Sequence, residues 1–423
     1  MSGFGPPRGT DDLLPPRSEL IRALQEAGAN LAERHGYRYV ETPAFEATEV
    51  FVRTSGETSD VVQKEMYTFQ DRAGRSLTLR PEGTAPVVRA YLANRARLPH
   101  PFKAYYLEHM WRYGRPQAGR LREFRQFGVE VLGEAGPEAD VEVVALGDRF
   151  LRGVGLTDLE LQLNSIGDGR CRPAYREELL AHLERNEARL RDEHRLRYRQ
   201  NPLRVLDCKD EGCREVSREA PRITDRLCGP CREHFEAVKE GLAEEDVKFV
   251  VTPTLVRGLD YYTRTTCEWV SPALPEGQAS VGGGGRYDGL AEVLGGPPTP
   301  GIGWALGLER VALVLEAEGR PAVQPFRLDC YLVVVGQVPR ERVRAVKAAL
   351  RDAGLATDAP FGPRPLGAQM RLADRSGARV AVILGEREAA AGTVTLRRLS
   401  DGHQEEVPLG EAAAWVRAAG EGR

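Results

Sequence analysis

The sequence predicts an α+β chain of more than one domain, in which helices pack on mainly antiparallel strands, with a helical insertion and a small C-terminal α/β domain. Three observations carry that prediction. The chain has 423 residues, beyond the roughly 100 to 200 that one domain usually organises. Its composition changes twice: residues 167–247 are charged and hold five of the seven cysteines, and Pro321 and Pro325 mark a linker. Its apolar residues recur with two periods, every second position around residues 102–107 and 123–132, every third or fourth in 19–35 and 138–154.

Taken in order, Leu20, Leu24, Ala27, Leu31 and Ala32 share one face of a helix over residues 19–35, and a short strand at 36–40 runs toward Pro43. Residues 102–107 and 123–132 are two antiparallel strands joined by a loop, 112–122, rich in Gly and Arg. A helix over 138–154 and a strand over 159–166 precede the insertion. Strands return at 248–255 and 261–269, Gly282 to Gly285 predict a turn, and 304–315 predicts a long apolar helix. Beyond the linker, strands at 328–335 and 380–385 flank a helix at 340–353, and 393–399 pairs with 404–409 across Ser400-Asp401-Gly402. The alternation is that of an α/β unit. The expected domains are 1–325, with the insertion at about 170–247, and 326–423.

Charge and targeting signals exclude several classes. With 59 Lys and Arg against 62 Asp and Glu, the chain has no basic excess with which to coat nucleic acid non-specifically. Residues 326–423 are mildly basic, with 15 Lys and Arg against 12 Asp and Glu. No apolar run approaches the ~20 residues of a membrane span, and the N-terminal residues have no signal-peptide pattern. The expectation is a soluble, cytoplasmic protein with no membrane partner. An odd number of cysteines, seven, fits a reducing compartment better than a disulfide framework.

No Walker loop or dinucleotide fingerprint is present, so any phosphate must be held by other means. Arg112 in the basic loop, Arg257 before Gly258-Leu259-Asp260-Tyr261-Tyr262, and Arg310 within an apolar run are the candidate cations. Guanidinium forks match phosphate oxygens in pairs. The plain alternative is that each arginine pairs with an acid such as Glu309 or Asp260. Cys208-x4-Cys213 and Cys228-x2-Cys231 have the spacing of two arms of a tetrahedral Zn²⁺ site, and a small insertion gains stability from such a metal. Reduced, merely packed thiols are the alternative. Cys228-Gly229-Pro230-Cys231 also matches a redox motif, but residues 223–227 make a poor buried strand and lack the surrounding βαβ pattern. Cys171, Cys267 and Cys330 are read as core or surface thiols.

Together the motifs are far more specific. Leu79-Arg80-Pro81-Glu82-Gly83-Thr84, then Met110-Trp111-Arg112, then Phe124-Arg125-Gln126 with Glu130, then Gly303-Trp304-Ala305-Leu306-Gly307-Leu308-Glu309-Arg310 resemble the three-motif framework of class II aminoacyl-tRNA synthetases. Leu255-Val256-Arg257-Gly258-Leu259-Asp260-Tyr261-Tyr262 and Gly283-Gly284-Gly285-Arg286-Tyr287-Asp288-Gly289-Leu290 resemble the histidyl-tRNA synthetase family within that class. The likeness runs from Arg8-Gly9-Thr10 through the C-terminal domain.

The resemblance implies a catalytic domain on a six-stranded antiparallel sheet, a C-terminal anticodon-binding domain and a homodimer. It implies an ATP-dependent histidine–tRNA ligase acting with Mg²⁺ on L-histidine and its tRNA. Arg112 would hold the α-phosphate, Arg310 the far end of the triphosphate, and Arg257 both the reacting carboxylate and the α-phosphate. Glu82, Gly83, Thr84 and Gln126 would receive the amino acid's backbone groups, and Glu130 and Tyr262 would read the imidazole, with Tyr261 and Tyr287 completing the pocket. Phe124 would stack on adenine, with Gln126 also touching the nucleotide. Two positions depart from the family pattern: Gly114 stands where Arg-x-Glu would put an acid, and Arg125 where Phe-His-Gln has a histidine. The rival function is that of the non-catalytic, synthetase-like regulatory subunits of ATP phosphoribosyltransferase, which usually lack the last domain.

Overall fold

In the computed structural model, residues 4–56, 61–117, 119–259, 261–275, 278–320 and 327–419 are described, and the chain divides into units of residues 1–323 and 324–423. The expected linker prolines, Pro321 and Pro325, lie outside the described residues. The strands of the first unit are β1 (Arg38–Tyr39), β2 (Phe45–Ala47), β3 (Tyr67–Gln70), β4 (Ser76–Leu79), β5 (Phe102–Trp111), β6 (Glu123–Leu132), β7 (Glu160–Ser165), β8 (Val250–Val251), β9 (Thr263–Val270), β10 (Ser280–Arg286) and β11 (Gly301–Gly307). Eight of them make one sheet in the order β1-β5-β6-β11-β10-β9-β7-β8. The middle strands pair antiparallel, and the two-residue strands β1 and β8 add in parallel at the edges. β2, β4 and β3 form a separate small sheet.

The period of two along the strands sorts their side chains onto two faces. Tyr105, Phe127, Val129, Val131, Trp304 and Trp269 point to one face and join the main buried cluster. Helices Arg17–Arg34, Pro137–Gly153 and Leu308–Ala317 cover that face. Trp304 is its hub: its ring meets Phe127 edge-on at 5.1 Å and Trp269 at 6.0 Å, and its Nε1 donates to Val143 O at 2.6 Å. The insertion shares this core. Leu179 and Leu183 from helix Arg172–Arg185, and Val238 and Leu242 from helix Gly229–Glu244, belong to the same buried cluster.

Three expectations from the sequence are corrected. Residues 301–307 are strand β11 and not the first turns of a helix, which starts at Leu308. The run is apolar because Ile302, Trp304 and Leu306 are buried on one face and only glycine and alanine stand on the other, a pattern periodicity cannot separate from a buried helix. Gly282 to Gly285 are not a turn but the middle of β10. A Cβ on Gly284 would lie 2.0 Å from Gly303 O, and one on Gly283 2.4 Å from Cys267 O, so crowding by the neighbouring strands excludes side chains. The strand expected over 248–255 shrinks to β8, and that over 261–269 begins at Thr263, which leaves Arg257, Tyr261 and Tyr262 on the connecting loop.

Arg286 closes β10 as a fully buried cation. It pairs with the equally buried Asp140, and its Nη atoms donate to Glu134 O, Gly136 O and Asp288 Oδ1 at 2.9, 3.0 and 3.0 Å. His234 Nε2 lies 3.1 Å from Asp140 Oδ1, so one carboxylate joins the sheet, helix Pro137–Gly153 and helix Gly229–Glu244. This is the structural meaning of the Gly-Gly-Gly-Arg-Tyr-Asp signature.

The second unit has β12 (Cys330–Val334), β13 (Thr357–Asp358), β14 (Val380–Leu384), β15 (Thr393–Arg398) and β16 (Gln404–Pro408), in the order β13-β12-β14-β15-β16. β12 pairs in parallel with β13 and β14, and β14, β15 and β16 follow antiparallel. Alternate β12 residues feed opposite faces. Leu332 packs with Val346, Leu350 and Val416, and Val333 with Ala373.

Arg286→Leu would leave Asp140 buried without its main counter-charge, and breaking such a pair costs about 3–5 kcal/mol. Urea unfolding should show a loss of that order, with Asp140→Asn similarly damaging. A loss below about 1 kcal/mol for both variants would mean the pair does not hold these elements together.

Candidate active site

The site lies on the face of the sheet opposite the tryptophans. Phe124, Gln126, Gly128 and Glu130 are even positions of β6, and the cross-strand partners of the last three on β11 are Gly307, Ala305 and Gly303. Gly283 on β10 pairs with Ala305. The floor is therefore made of the smallest residues. A Cβ on Gly128 would sit 2.2 Å from the Tyr106 ring, and one on Gly303 1.8 Å from Glu130 Oε2.

Above this floor is a cavity of about 260 Å³. Its lining includes Glu82, Gly83, Thr84, Arg112, Phe124, Gln126, Arg257, Tyr261, Tyr262 and Arg310. The sequence-predicted residues thus converge from five separate segments. Glu130 and Tyr287 do not line the cavity and lie behind it. Glu130 is fully buried, its Oε1 accepts from Thr84 Oγ1 at 2.7 Å, and Tyr287 OH donates to its Oε2. The Tyr287 ring in turn packs edge-on against Tyr261 at 5.8 Å.

Glu82 opens helix Thr84–Asn94, and its carboxylate accepts from the backbone N–H groups of Thr84 at 2.7 Å and Ala85 at 2.9 Å. These are donors that a helix start leaves unpaired. Burial nonetheless raises the Glu82 pKa. Gln126 Oε1 is buried with no hydrogen-bond partner among the described residues, an acceptor open to a ligand's N–H. Tyr261 and Tyr262 do not alternate across a strand. Both flank the cavity from the loop, with ring centroids 4.7 Å apart, and burial raises both phenols, Tyr262 to about 12.

Of the acids that the sequence offered as partners for the arginines, Glu309 does not take that role. Glu309 accepts from Arg125 instead, from its backbone N at 2.9 Å and its Nη1 at 3.1 Å, which also neutralises the cation at that departure from the family pattern. Asp260 lies outside the described residues. Arg257 pairs with Glu268 of β9, which also accepts from Ser280 Oγ at 2.6 Å, and the Arg257 Nε is buried without a partner among the described residues. Arg112 Nε donates to Pro81 O at 2.7 Å, and its guanidinium lies 5.4 Å from the Phe124 ring centre. Arg310 donates to Gly119 O at 3.0 Å and to Ser280 O at 2.5 Å, with no ion pair to a described carboxylate. Its pKa is lowered by burial and then by the positive charges of Arg112 and Arg120. Buried like charges of this kind are relieved by an anionic ligand.

Motif reasoning missed Glu65 and Arg120. Both line the cavity, with Arg120 Nη2 donating to Glu65 Oε1 at 2.5 Å beside Gly114. Tyr113 N also donates to Glu65 O at 2.7 Å. An acid thus stands near the position where the second motif lacks one, but it comes from an earlier segment that no local pattern connects to it. A wider cleft of about 860 Å³ shares Glu65, Arg112, Arg120 and Arg257 and continues along Arg191, Arg197 and Arg204 of the insertion.

The cysteines also differ from expectation. Cys208, Cys213, Cys228 and Cys231 do not form one group. Cys208 and Cys213 gather with His194, whereas Cys228 and Cys231 gather with Cys171 and Asp168. Contact between the pairs is not implied by their spacing, because helix Glu211–Arg218 carries Cys213 and helix Gly229–Glu244 begins at the other pair. Residues 223–226 are a 3₁₀ turn, so the redox motif has no preceding strand.

A mainly antiparallel sheet, a buried acid at the start of a helix and three arginines lining one cavity are the features of a class II aminoacyl-tRNA synthetase catalytic unit. The histidyl-tRNA synthetase profile matches residues 9–311, and the anticodon binding domain profile matches residues 329–419. The histidine–tRNA ligase of Moorella thermoacetica is 48% identical over 412 residues, covering 97% of each chain. That of Saccharopolyspora erythraea is 46% identical over 422 residues, covering 99% of each. The apo histidyl-tRNA synthetase of S. aureus superposes with a TM-score of 0.80 at 34% identity, over 98% of this chain and 100% of its own. The chain belongs to the histidyl-tRNA synthetase family.

Burial pushes the Glu130 carboxyl up from 4.5 to about 8, against the hydrogen bonds from Tyr287 and Thr84. The folded chain therefore keeps a proton that the unfolded chain has released between those values, and stability falls as pH rises through that window. Glu130→Gln has no such proton. The unfolding free energy of wild type relative to this variant should decline as pH rises from about 5 to 8. A pH-independent difference would show that Glu130 ionises normally when folded.

Proposed function

We propose that the chain is a histidine–tRNA ligase. It joins L-histidine to ATP, giving histidyl-adenylate and pyrophosphate, and then transfers the histidyl group to the 3′ end of its tRNA. The observation that carries this function is one cavity that unites open acceptors, Glu82 and Gln126, with the three cations Arg112, Arg257 and Arg310. An amino acid and a triphosphate need that combination.

The histidine ammonium group is received by Glu82, Thr84 and the unpaired Oε1 of Gln126. The imidazole points to Tyr262 and Tyr261, with Glu130 and Tyr287 behind them. An imidazole has one donor and one acceptor, and a carboxyl group with phenols supplies partners for both. A side chain lacking these groups would leave buried polar atoms unpaired, which is a strong basis for rejection. Glu130→Gln should raise the histidine KM about tenfold or more, equivalent to roughly 1.4 kcal/mol; an unchanged KM would assign the ring to another residue.

Activation brings two anions together. A carboxylate oxygen of histidine attacks the α-phosphorus in line. The new O–P bond forms as the bond to the bridging oxygen breaks, and pyrophosphate leaves with that electron pair. Mg²⁺ enters bound to ATP as part of the substrate. Arg257 contacts the carboxylate and the α-phosphate together, Arg112 holds the α-phosphate, and Arg310 the far end of the triphosphate. Such positioned cations stabilise charge that develops at phosphorus without reorganising. Phe124 stacks on adenine. The Arg-rich cleft along the insertion receives the tRNA's 3′ end for the second step, and residues 326–423 receive the anticodon arm. The chain works in the cytoplasm as a homodimer, which sedimentation analysis tests.

The protein titled an ATP phosphoribosyltransferase regulatory subunit/histidyl-tRNA synthetase of Bacillus halodurans has a TM-score of 0.63 at 22% identity, a likeness of fold alone. Histidine-dependent exchange of pyrophosphate into ATP separates the two functions: a ligase exchanges, a regulatory subunit does not.

Arg257→Ala and Arg257→Lys should fold, keep KM for ATP and histidine within several-fold, and lose at least about 10²-fold in adenylate formation, the scale of removing one transition-state donor. Lysine keeps the charge but loses the planar fork. A near-normal single-turnover rate together with a lowered Tm would instead limit Arg257 to its pair with Glu268. Deleting residues 326–423 should strongly raise the KM for tRNA while adenylate formation persists. Unchanged tRNA charging would remove that unit from recognition.

A further inference from the structure

Away from the catalytic cavity, Asp168, Cys171, Cys228 and Cys231 each offer one ligand atom, and these four atoms all lie within 4.8 Å of one another. Two come from the turn after β7 and two from the start of helix Gly229–Glu244. Both pairs have the same spacing, Asp168-x2-Cys171 and Cys228-x2-Cys231. We propose that Asp168, Cys171, Cys228 and Cys231 bind a structural zinc ion. The sequence alone assigned the wrong partner to Cys228-x2-Cys231 because Asp168 is not a thiol and Cys171 looked like a core residue.

The local geometry fits a metal-binding turn. Asp168 N donates to Cys171 Sγ at 3.3 Å, as backbone amides do around thiolate ligands. Gly167 has φ +63°, and a Cβ there would sit 2.5 Å from Cys171 Sγ, so only glycine leaves that sulfur in place. A tetrahedral ion with Zn–S bonds of ~2.3 Å separates its ligand sulfurs by about 3.8 Å. Drawing the four ligands together from within 4.8 Å needs only side-chain adjustment. Three thiolates and a carboxylate leave the filled site with two net negative charges. Two cations already stand there: Arg170 Nη2 is 2.6 Å and Arg264 Nη2 3.7 Å from Asp168 Oδ2. Binding releases the thiol protons to solvent. Thiolate-rich donors in this number favour zinc over magnesium or calcium, which take oxygen ligands.

The metal would brace the histidine pocket. Ile166 N donates to Arg264 O at 2.8 Å, Arg264 N donates to Gly167 O at 2.8 Å, and the Arg172 guanidinium donates to Tyr262 O. The turn that carries Asp168 and Cys171 therefore holds the backbone of Tyr262 and the start of β9.

The test is metal analysis of the full-length protein, purified without chelator, equilibrated with zinc and desalted. Cys171→Ser and Cys228→Ser should each lower the zinc content by one ion per chain, and Cys208→Ser should leave this site filled. Cobalt in place of zinc should give thiolate charge-transfer bands in wild type that weaken in Cys171→Ser, and chelation should lower the wild-type Tm, with recovery on adding zinc but not magnesium. The choice of Cys171 excludes a redox pair, since a Cys228–Cys231 disulfide needs no third thiol. Zinc-free wild-type protein, an unchanged zinc content in Cys171→Ser, or a Cys228–Cys231 disulfide in the purified chain would each overturn the proposal.

Discussion

The alternation of side chains along β6 and β11, carried across to the glycines of β10, is the constraint on which the rest of the structure depends. Each of these strands lies between two neighbours, so every residue must face either the helices or the substrates. Phe127, Val129, Ile302 and Trp304 fill one side with large apolar groups, while Gly128, Gly303, Ala305 and Gly283 keep the other side shallow. A slip of one residue in register would drive Trp304 into the cavity and put Gln126 and Glu130 into the core. The packing that stabilises the sheet is thus the same packing that places the polar groups, and neither can be changed alone.

The second determinant is electrostatic. Arg310, lowered by burial and by its cationic neighbours, and the buried acids Glu82 and Glu130, raised by burial, are all held away from their preferred charge balance. In the protein's interior such imbalance is costly. It is sustained because the surrounding fold over-determines these positions: Glu82 caps a helix, Glu130 is gripped by Thr84 and Tyr287, and Arg310 is fixed by two carbonyl oxygens. On the proposed function, a zwitterionic amino acid and a polyphosphate would supply the missing charges.

Much of this was legible in the sequence because the chemistry-bearing residues sit in local motifs. The α+β class, the helices at Arg17–Arg34 and Pro137–Gly153 and the β5–β6 pair follow from periodicity. The cations Arg112, Arg257 and Arg310 were identified from their settings, and the structure brings them to one cavity. What was illegible depended on long-range packing. β11 resembles a helix until its neighbours are known, and the glycines of β10 resemble a turn until the close approach of Cys267 and Gly303 is seen. Glu65 reaches Gly114 and Arg120 from a distant segment. Spacing showed that the cysteines came in pairs but could not show which residues completed each group.

The central claim is that histidine and ATP react over the glycine floor, with Arg112 and Arg257 on the transferred phosphate. The most direct measurement is a crystal structure of the protein with a non-hydrolysable histidyl-adenylate analogue whose sulfamoyl group replaces the phosphate. The sulfamoyl group should accept hydrogen bonds from both Arg112 and Arg257 above Gly283 and Ala305, with the imidazole directed toward Tyr262. An analogue bound outside this cavity, or one whose sulfamoyl group meets neither arginine, would contradict it.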